Sequence, residues 1–382
     1  MGELSRSYYE VAVVGAGPAG SSAAFALAAE GFDVVLIEKA LLPRYKTCGG
    51  GIVRRANQLM PIDIRQIIEC ECYTAQVNIL DADLQFNVRK REPLISMIMR
   101  EQFDFLLVSA ARSAGAFVRQ GCEVLGLACG ADWVELSTTQ GAVRAGYVIA
   151  ADGAASPIAR KLRLRKPGGV FLTLEYEVFV PREELSRFTG IARFDIGLVP
   201  QGYAWVFPKR NHLSIGIGSM RWGAAHLGRS LEHYLRIIGL NHIERIERHG
   251  FFIPVNPRDL NFAKGRILLA GDAAGLADPF TGEGITSAIL SGQMAARALI
   301  DGNFDEHRVG KFYERAIRER ILSELRLAGM LAKLIYQPKI RNPFFRYFGE
   351  GFINAVMDVF VGTRTYRQLL LSILYGRSLA CG

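Results

Sequence analysis

Nowhere in this 382-residue chain do about eighteen or more residues run apolar without a charge or a glycine cluster, so no membrane-spanning helix is expected. Cysteine is scarce. The six (Cys48, Cys70, Cys72, Cys122, Cys129 and Cys381) show no C-x-x-C spacing, which argues against a zinc ribbon or a thioredoxin-like motif. The six histidines are scattered, none set with Cys or Asp at ligand spacing, and no metal site is read from them. A G-x-S-x-G nucleophile elbow, an internal repeat, a low-complexity tract and a charged-then-apolar secretory leader are also missing. A reducing cytoplasm is the compartment these absences suggest. Acidic residues are in deficit too, with 37 Asp and Glu against 46 Lys and Arg, a net charge of +9. The excess gathers in the last fifth, at Arg308, Lys311, Arg315, Arg318, Arg320, Arg326, Lys333, Lys339, Arg341 and Arg346. It favours an anionic partner such as a nucleotide or a lipid head group. Nucleic acid is not expected, because the basic residues sit among apolar helical positions and no nucleic-acid module is recognised.

Half of the residues are hydrophobic, enough for a large core or two joined ones. Residues 9–14 form an apolar, β-branched run ending in Gly15-Ala-Gly17-Pro-Ala19-Gly20; a small-residue helix is expected over 21–30 and a second strand over 33–37. Phe103, Leu106, Leu107 and Ala110 fall at helical spacing within 101–114. A buried strand over 143–151 runs into Asp152-Gly153, and a short strand over 266–270 runs into Gly271-Asp272, with a helix from about 283 to 300. Between these pieces, residues 73–79, 171–180 and 202–218 alternate as a half-exposed antiparallel sheet does. The expected fold is therefore α/β, with a Rossmann-type nucleotide domain interleaved with an antiparallel β-sheet substrate domain. The nucleotide domain takes residues 1–69, 94–168 and 259–303, and the sheet domain 70–93 and 169–258. Residues 304–382 read as C-terminal amphipathic helices broken by Pro338 and Pro343.

Gly15, Gly17 and Gly20 lie between a strand and a helix, where they allow a tight turn, close approach of a pyrophosphate, and helix-on-strand packing. The free amides at that helix N-terminus face the phosphates, and Ala19 and Lys39 belong to the same cradle. Glu38, ending the next strand, suits the hydroxyls of an adenosine ribose and repels a phosphate there, so FAD or NAD fits and NADP does not. The second loop, Gly271-Asp272 with Pro279, Gly282, Gly284 and Ile285, offers a carboxylate for a ribityl or ribose hydroxyl and a helix N-terminus beyond it. A dipole aimed at the N1 and O2 side of a reduced flavin favours its negative charge.

Three motifs, Gly15-x-Gly17-x-x-Gly20, Asp152-Gly153-x-x-Ser156 with Arg160, and Gly271-Asp272 followed by Pro279, together resemble the p-hydroxybenzoate-hydroxylase-like flavoprotein superfamily over about residues 9 to 300. Arg100, ahead of Phe103-Asp104, matches a position that contacts the flavin nucleotide there. FAD is the cofactor this implies. Within the superfamily, Arg44-Tyr-Lys46-Thr-Cys48-Gly49-Gly50-Gly51 and Tyr203-Ala-Trp205-Val-Phe207-Pro208-Lys209, followed by Gly216 and Gly218, resemble the geranylgeranyl reductase family. That family saturates isolated double bonds of prenyl chains, and the resemblance implies a prenylated lipid, quinone or chlorophyll-like substrate. Cys48 and Tyr203 are the candidate proton donors or positioning groups. Successive glycines after Cys48 would let the backbone approach a flat isoalloxazine ring. Tyr203, Trp205 and Phe207 alternate along a strand and share one face, as the wall of an isoprenoid channel or as plain core, with Pro208 closing the motif. The basic helical region, with Leu325, Leu327, Leu331, Leu334 and Ile335 beside Arg326, Lys333 and Lys339, suits either packing within the protein or a peripheral place on an anionic membrane.

Two other readings compete. An aromatic monooxygenase or halogenase uses the same scaffold, but Tyr203 stands where the halogenase motif has its first tryptophan and no halogenase lysine is evident. A non-catalytic, membrane-docking flavin protein leaves the Cys48 and Tyr203 motifs unexplained. The electron donor is either NAD(P)H, bound transiently because no second dinucleotide fingerprint is present, or a ferredoxin-like protein attracted to the basic surface.

Overall fold

A computed structural model describes residues 8–164, 169–221, 223–255 and 261–374; Cys381 lies outside them. Tyr8–Val14 forms a strand in which Val11, Ala12 and Val13 have no exposed surface, as a strand inside a parallel sheet requires. Val34–Ile37 and Gly141–Ala150 flank it, both parallel to it. The helix Pro18–Ala29 joins the first two strands and has proline in its first turn, where a missing N–H costs no internal bond. Phe117–Arg119 and Ile267–Leu269 extend the sheet outward in parallel, Ala263–Lys264 pairs antiparallel at its edge, and Val124–Cys129 and Val134–Thr138 add an antiparallel ribbon, for eight strands among the described residues. Helices Pro18–Ala29, Arg100–Ser113 and Ile285–Gly302 supply much of the apolar cover over this sheet.

The second sheet has seven strands, in the order Arg245–Pro254, Val170–Phe179, Leu213–Ser219, Gly202–Pro208, Ile191–Ile196, Thr74–Ile79 and Leu84–Arg89. All its neighbours are antiparallel except Ile191–Ile196 with Thr74–Ile79. One face is covered by the helix Ala224–Ile237, whose Leu227, Leu231 and Tyr234 pack with Val178, Val206 and Ile215. The other face carries Phe171, Thr173 and Glu175 on one strand and Tyr203, Trp205 and Phe207 on another, and it borders the site. A third sheet, of Gly51–Val53, Ile95–Ile98 and Ile68–Cys72, has strands too short to show a clear period in sequence.

The C-terminal region is helical, as its pattern suggests, but one detail differs from the sequence reading. Pro338 begins the helix Pro338–Val361, yet Pro343 lies inside it without ending it. In the second turn it removes only the bond that the carbonyl of exposed Lys339 would accept. The apolar stripe of Ser323–Ile335 faces inward: Leu325, Leu331 and Ile335 are buried in the core and Leu327 is partly buried, leaving only Leu334 of the five leucine and isoleucine positions well exposed. This is the ordinary fate of a helix stripe that can meet its own protein.

Candidate active site

The loop after the first strand is forced by its neighbours. Gly15 has φ +98°, and a Cβ there would stand 2.3 Å from the Ala151 carbonyl oxygen, so the next strand's end leaves room only for hydrogen. Glu38 braces the turn: Oε2 accepts from the Ala16 amide at 2.8 Å and Oε1 from the Ala40 amide at 3.1 Å. Arg44 reaches both Glu38 (3.4 Å) and buried Asp104 (2.9 Å), and Arg100 closes on Asp104 with two bonds of 2.9 Å. Burial works against the Arg100 charge, but Asp104 and then Cys48 outweigh it and raise the guanidinium pKa above its ordinary value. Arg100 thus presents a fixed cation at the edge of the cavity.

That cavity, of about 590 Å³, is bordered by Gly15, Gly17, Ala19, Glu38, Lys39, Arg100, Asp152, Gly153, Gly271, Asp272, Gly282, Gly284 and Ile285 together with Cys48, Gly49, Gly50, Tyr203, Trp205 and Phe207. Segments more than two hundred residues apart therefore share one space. Three expected positions do not border it. Gly20 packs against the Gly15 carbonyl, Pro279 is buried near Gly329, and Pro208 lies on the opposite face of its strand from Phe207.

The glycines after Cys48 border the cavity and meet close neighbours on their Cβ side. Lys209 Nζ donates to the carbonyls of Gly49 (2.7 Å) and Ile98 (2.8 Å), and Gly50, at φ +68°, leaves room for that ammonium and for the Ile98 carbonyl. The loop is pinned, with Cys48 Sγ accepting from the Gly50 amide at 3.4 Å. Tyr203 donates its hydroxyl to the Thr281 carbonyl, and burial, followed by Asp278, raises its pKa. That hydroxyl anchors the loop ahead of Gly282. Trp205 keeps its buried Nε1 without a partner, and Gly216 makes room for the indole, since a Cβ there would lie 1.9 Å from Cζ2.

Several site groups gave no motif. Phe171, Phe194, Phe251, Phe280 and Tyr336 extend the aromatic wall, and Ile353, Val356, Met357 and Phe360 of Pro338–Val361 bring a helix face to the cavity. Their only sequence signal is helical or alternating hydrophobicity, which core residues share. Lys46 also borders the cavity, its Nζ 3.1 Å from the centroid of Phe251. Burial, then Arg100, lowers its pKa to about 8. Buried Asp278 holds the loop at 280–281 through the amides of Phe280 (2.8 Å) and Thr281 (3.1 Å), and accepts from Tyr366 (2.7 Å).

The polar part of the cavity fits FAD. Gly17 and Gly153 have open space on their Cβ side, where backbone can meet phosphate. Asp152 Oδ1 is buried without a partner, the state of an acceptor waiting for a hydroxyl donor. The helix Ile285–Gly302 opens at Gly284 beside Asp272, with its N-terminal dipole end at the cavity.

Comparison with known proteins agrees. Residues 8–175 match the model of an FAD binding domain. A digeranylgeranylglycerophospholipid reductase of Methanopyrus kandleri is 32% identical over 80% of this chain and 84% of its own length. A chloroplastic geranylgeranyl diphosphate reductase of Arabidopsis thaliana is 29% identical over 96% of this chain and 81% of its own. The solved structure of a geranylgeranyl bacteriochlorophyll reductase-like protein of Thermoplasma acidophilum superposes with a TM-score of 0.82 at 24% identity, covering 96% of this chain and 99% of that one. Halogenase PltM shares the fold at a TM-score of 0.71 and 17% identity, covering 97% and 93% of the two chains. The glycine turn, the Cys48 loop and the Tyr203 strand border one cavity, and the chain belongs to the geranylgeranyl reductase family of FAD-dependent oxidoreductases.

Proposed function

We propose that this enzyme saturates isolated carbon–carbon double bonds in a geranylgeranyl-type chain carried by a lipid, a quinone or a chlorophyll-like molecule. The observation that carries the reading is a single cavity with a phosphate cradle at Gly15 and Gly17 and an apolar wall from Trp205 to Met357. A reduced flavin supplies a hydride. The chain's own residues bind, orient and exclude water. Glu38, Arg44, Arg100 and Asp104 fix the cradle; Asp152 and Asp272 meet polar hydroxyls; Tyr203, Trp205, Phe207 and the face of Pro338–Val361 hold the prenyl chain in an apolar environment. An unactivated alkene polarises weakly, so placement at reactive distance carries much of the rate. Cys48 lies where the cradle meets the aromatic wall and acts as a positioning group for the substrate. Cys48→Ala is expected to slow alkene reduction by roughly tenfold, an order of magnitude typical of lost positioning, while FAD stays bound; turnover within error of the wild type removes the role.

The deciding experiment reduces the flavin chemically under anaerobic conditions, adds geranylgeranyl-bearing lipids and reads the products by mass spectrometry. Each reduced bond adds two hydrogen atoms. Recovery of unchanged lipid from all such substrates contradicts the proposal.

Two further features concern partners. Electrons arrive from NAD(P)H bound transiently or from a ferredoxin-like protein; an acidic carrier would match the basic balance of the chain. No helix among the described residues is long and apolar enough to cross a membrane. A lipid substrate would instead be met peripherally, at the cytoplasmic face of a membrane, by a surface displaced from the one the sequence suggests. Met330, Leu334, Ile340, Tyr347 and Phe348 are exposed, among exposed Lys333, Lys339 and Arg346. Salt-sensitive binding to anionic vesicles, weakened in Tyr347→Ser/Phe348→Ser, is the expected result, and no association at low ionic strength removes this surface.

A further inference from the structure

Saturating a double bond needs a proton as well as a hydride, and the cavity wall holds a carboxyl that no motif announced. Glu175 is on the strand Val170–Phe179, borders the cavity and is buried. Two residues on, Glu177 is buried on the same face. The hydroxyl of half-exposed Tyr45 sits 3.5 Å from a carboxylate oxygen of each. From Glu177 the line continues: His212 Nε2 lies 3.0 Å from Glu177 Oε2, while its Nδ1 is 2.7 Å from Oδ1 of exposed Asn211. Neither His212 Nε2 nor Glu177 Oε2 has an aligned hydrogen-bond partner, so this contact holds two buried polar atoms with unused capacity.

We propose that Glu175 is the acid that protonates the substrate alkene, and that Glu177 and His212 carry replacement protons to it from the surface at Asn211. The inference rests on the reductase reading above. The hydride and its electron pair, from the reduced flavin, bond to one alkene carbon; the π pair of the alkene forms the second C–H bond with the Glu175 proton. The carboxylate left behind recovers a proton from Glu177, Glu177 from His212, and His212 from solvent. The electron pair is restored to the flavin by the external donor.

Other groups on this line are less suited to the task. Tyr203 spends its hydroxyl on the Thr281 carbonyl, and Cys48 sits between the Gly50 amide and the Arg100 cation. The groups facing Glu175 are Glu177 on its own strand, Tyr45 and Cys48 on the loop, Lys209 at the end of the Tyr203 strand, and His249 on the paired strand, stacked on Tyr45 at 4.2 Å. Burial raises the Glu175 pKa, Glu177 raises it further, and Lys209 and the Cys48 amide oppose them, so the carboxyl holds its proton well above the ordinary carboxylate range. A raised pKa places the donating form on the acid side, and turnover falls as pH rises through it.

The test compares wild type, Glu175→Gln and Glu177→Gln, each loaded with FAD and chemically reduced without oxygen, using geranylgeranyl diphosphate and a digeranylgeranylglycerophospholipid as probes. Glu175→Gln is expected to bind FAD normally and to lose roughly 100-fold in single-turnover alkene reduction, together with the alkaline limb of the pH profile. Infrared spectra of the flavin-free proteins should show a protonated-carboxyl band at neutral pH that disappears in this variant. Glu177→Gln removes both the relay and a charge that helps Glu175 hold its proton, so repeated turnovers slow about tenfold and the alkaline limb of the pH profile moves to lower pH. Single-turnover rates within twofold of wild type in Glu175→Gln, or a carboxyl band unchanged by it, overturn the proposal. A wild type inactive on both probes counts instead against the reductase reading.

Discussion

The glycine turn at residues 15–20 and the aromatic wall at residues 203–207 border one cavity but are made differently. In the turn, backbone makes the site: Gly15 faces the Ala151 carbonyl, and Glu38 spends its carboxylate on two amides. In the wall, side chains make it, and the backbone, as at Gly216, merely yields them room. Backbone geometry tolerates few sequences, whereas an apolar surface tolerates many. The first region should therefore fail through cofactor loss and the second through substrate handling.

The sharpest way to break that contrast is Gly15→Val. The substitution adds a side chain in a left-handed conformation against a carbonyl, with strain of about 1–3 kcal/mol or more. FAD affinity is expected to fall by roughly 10- to 100-fold, read as flavin absorbance per purified protein; full flavin content would show that the turn has slack. Tyr366→Phe tests whether the C-terminal helices hold the second loop. It takes one partner from buried Asp278 and should cost about 1–3 kcal/mol in urea unfolding. Met357→Trp crowds the apolar wall, which overpacking penalties of about 1–3 kcal/mol translate into roughly tenfold weaker prenyl binding, with the yellow colour kept. Parallel loss of flavin in that variant would merge the two regions into one.

The smallest effect concerns Lys46. Its folded pKa, lowered to about 8 chiefly by burial, lies below the unfolded value, so the unfolded chain binds more protons between the two. In the flavin-free protein this contribution makes stability rise with pH across that window. Lys46→Met should flatten the wild-type slope there, and an unchanged slope in denaturant titrations at stepped pH would show that Lys46 keeps an ordinary pKa.

Legibility followed the same division. Tyr8–Val14, the turn, Glu38 and the strand ending at Ala150 were readable because a strand, three glycines and a helix in that order leave few alternatives. The small third sheet was not, because three to five residues carry too little periodicity. Pro343 misled because a proline early in a helix costs one bond, which the packing of Phe345, Phe352 and Ile353 can offset. The stripe of Leu325, Leu331 and Ile335 suits core, the commoner fate, or lipid, and only tertiary packing separates those. Glu175 and Glu177 read as ordinary members of an alternating strand; their neighbours Lys209 and His212 come from a hairpin more than thirty residues away.

The central claim is that one cavity brings the flavin and a prenyl double bond within reach of each other. Rapid mixing of the chemically reduced protein with a geranylgeranyl lipid, oxygen excluded, tests it by following flavin absorbance. The account predicts that the oxidised spectrum returns in proportion to the hydrogen gained by the lipid. A flavin that stays reduced with every prenyl lipid, yet is reoxidised by oxygen while an aromatic compound is hydroxylated or halogenated, contradicts it.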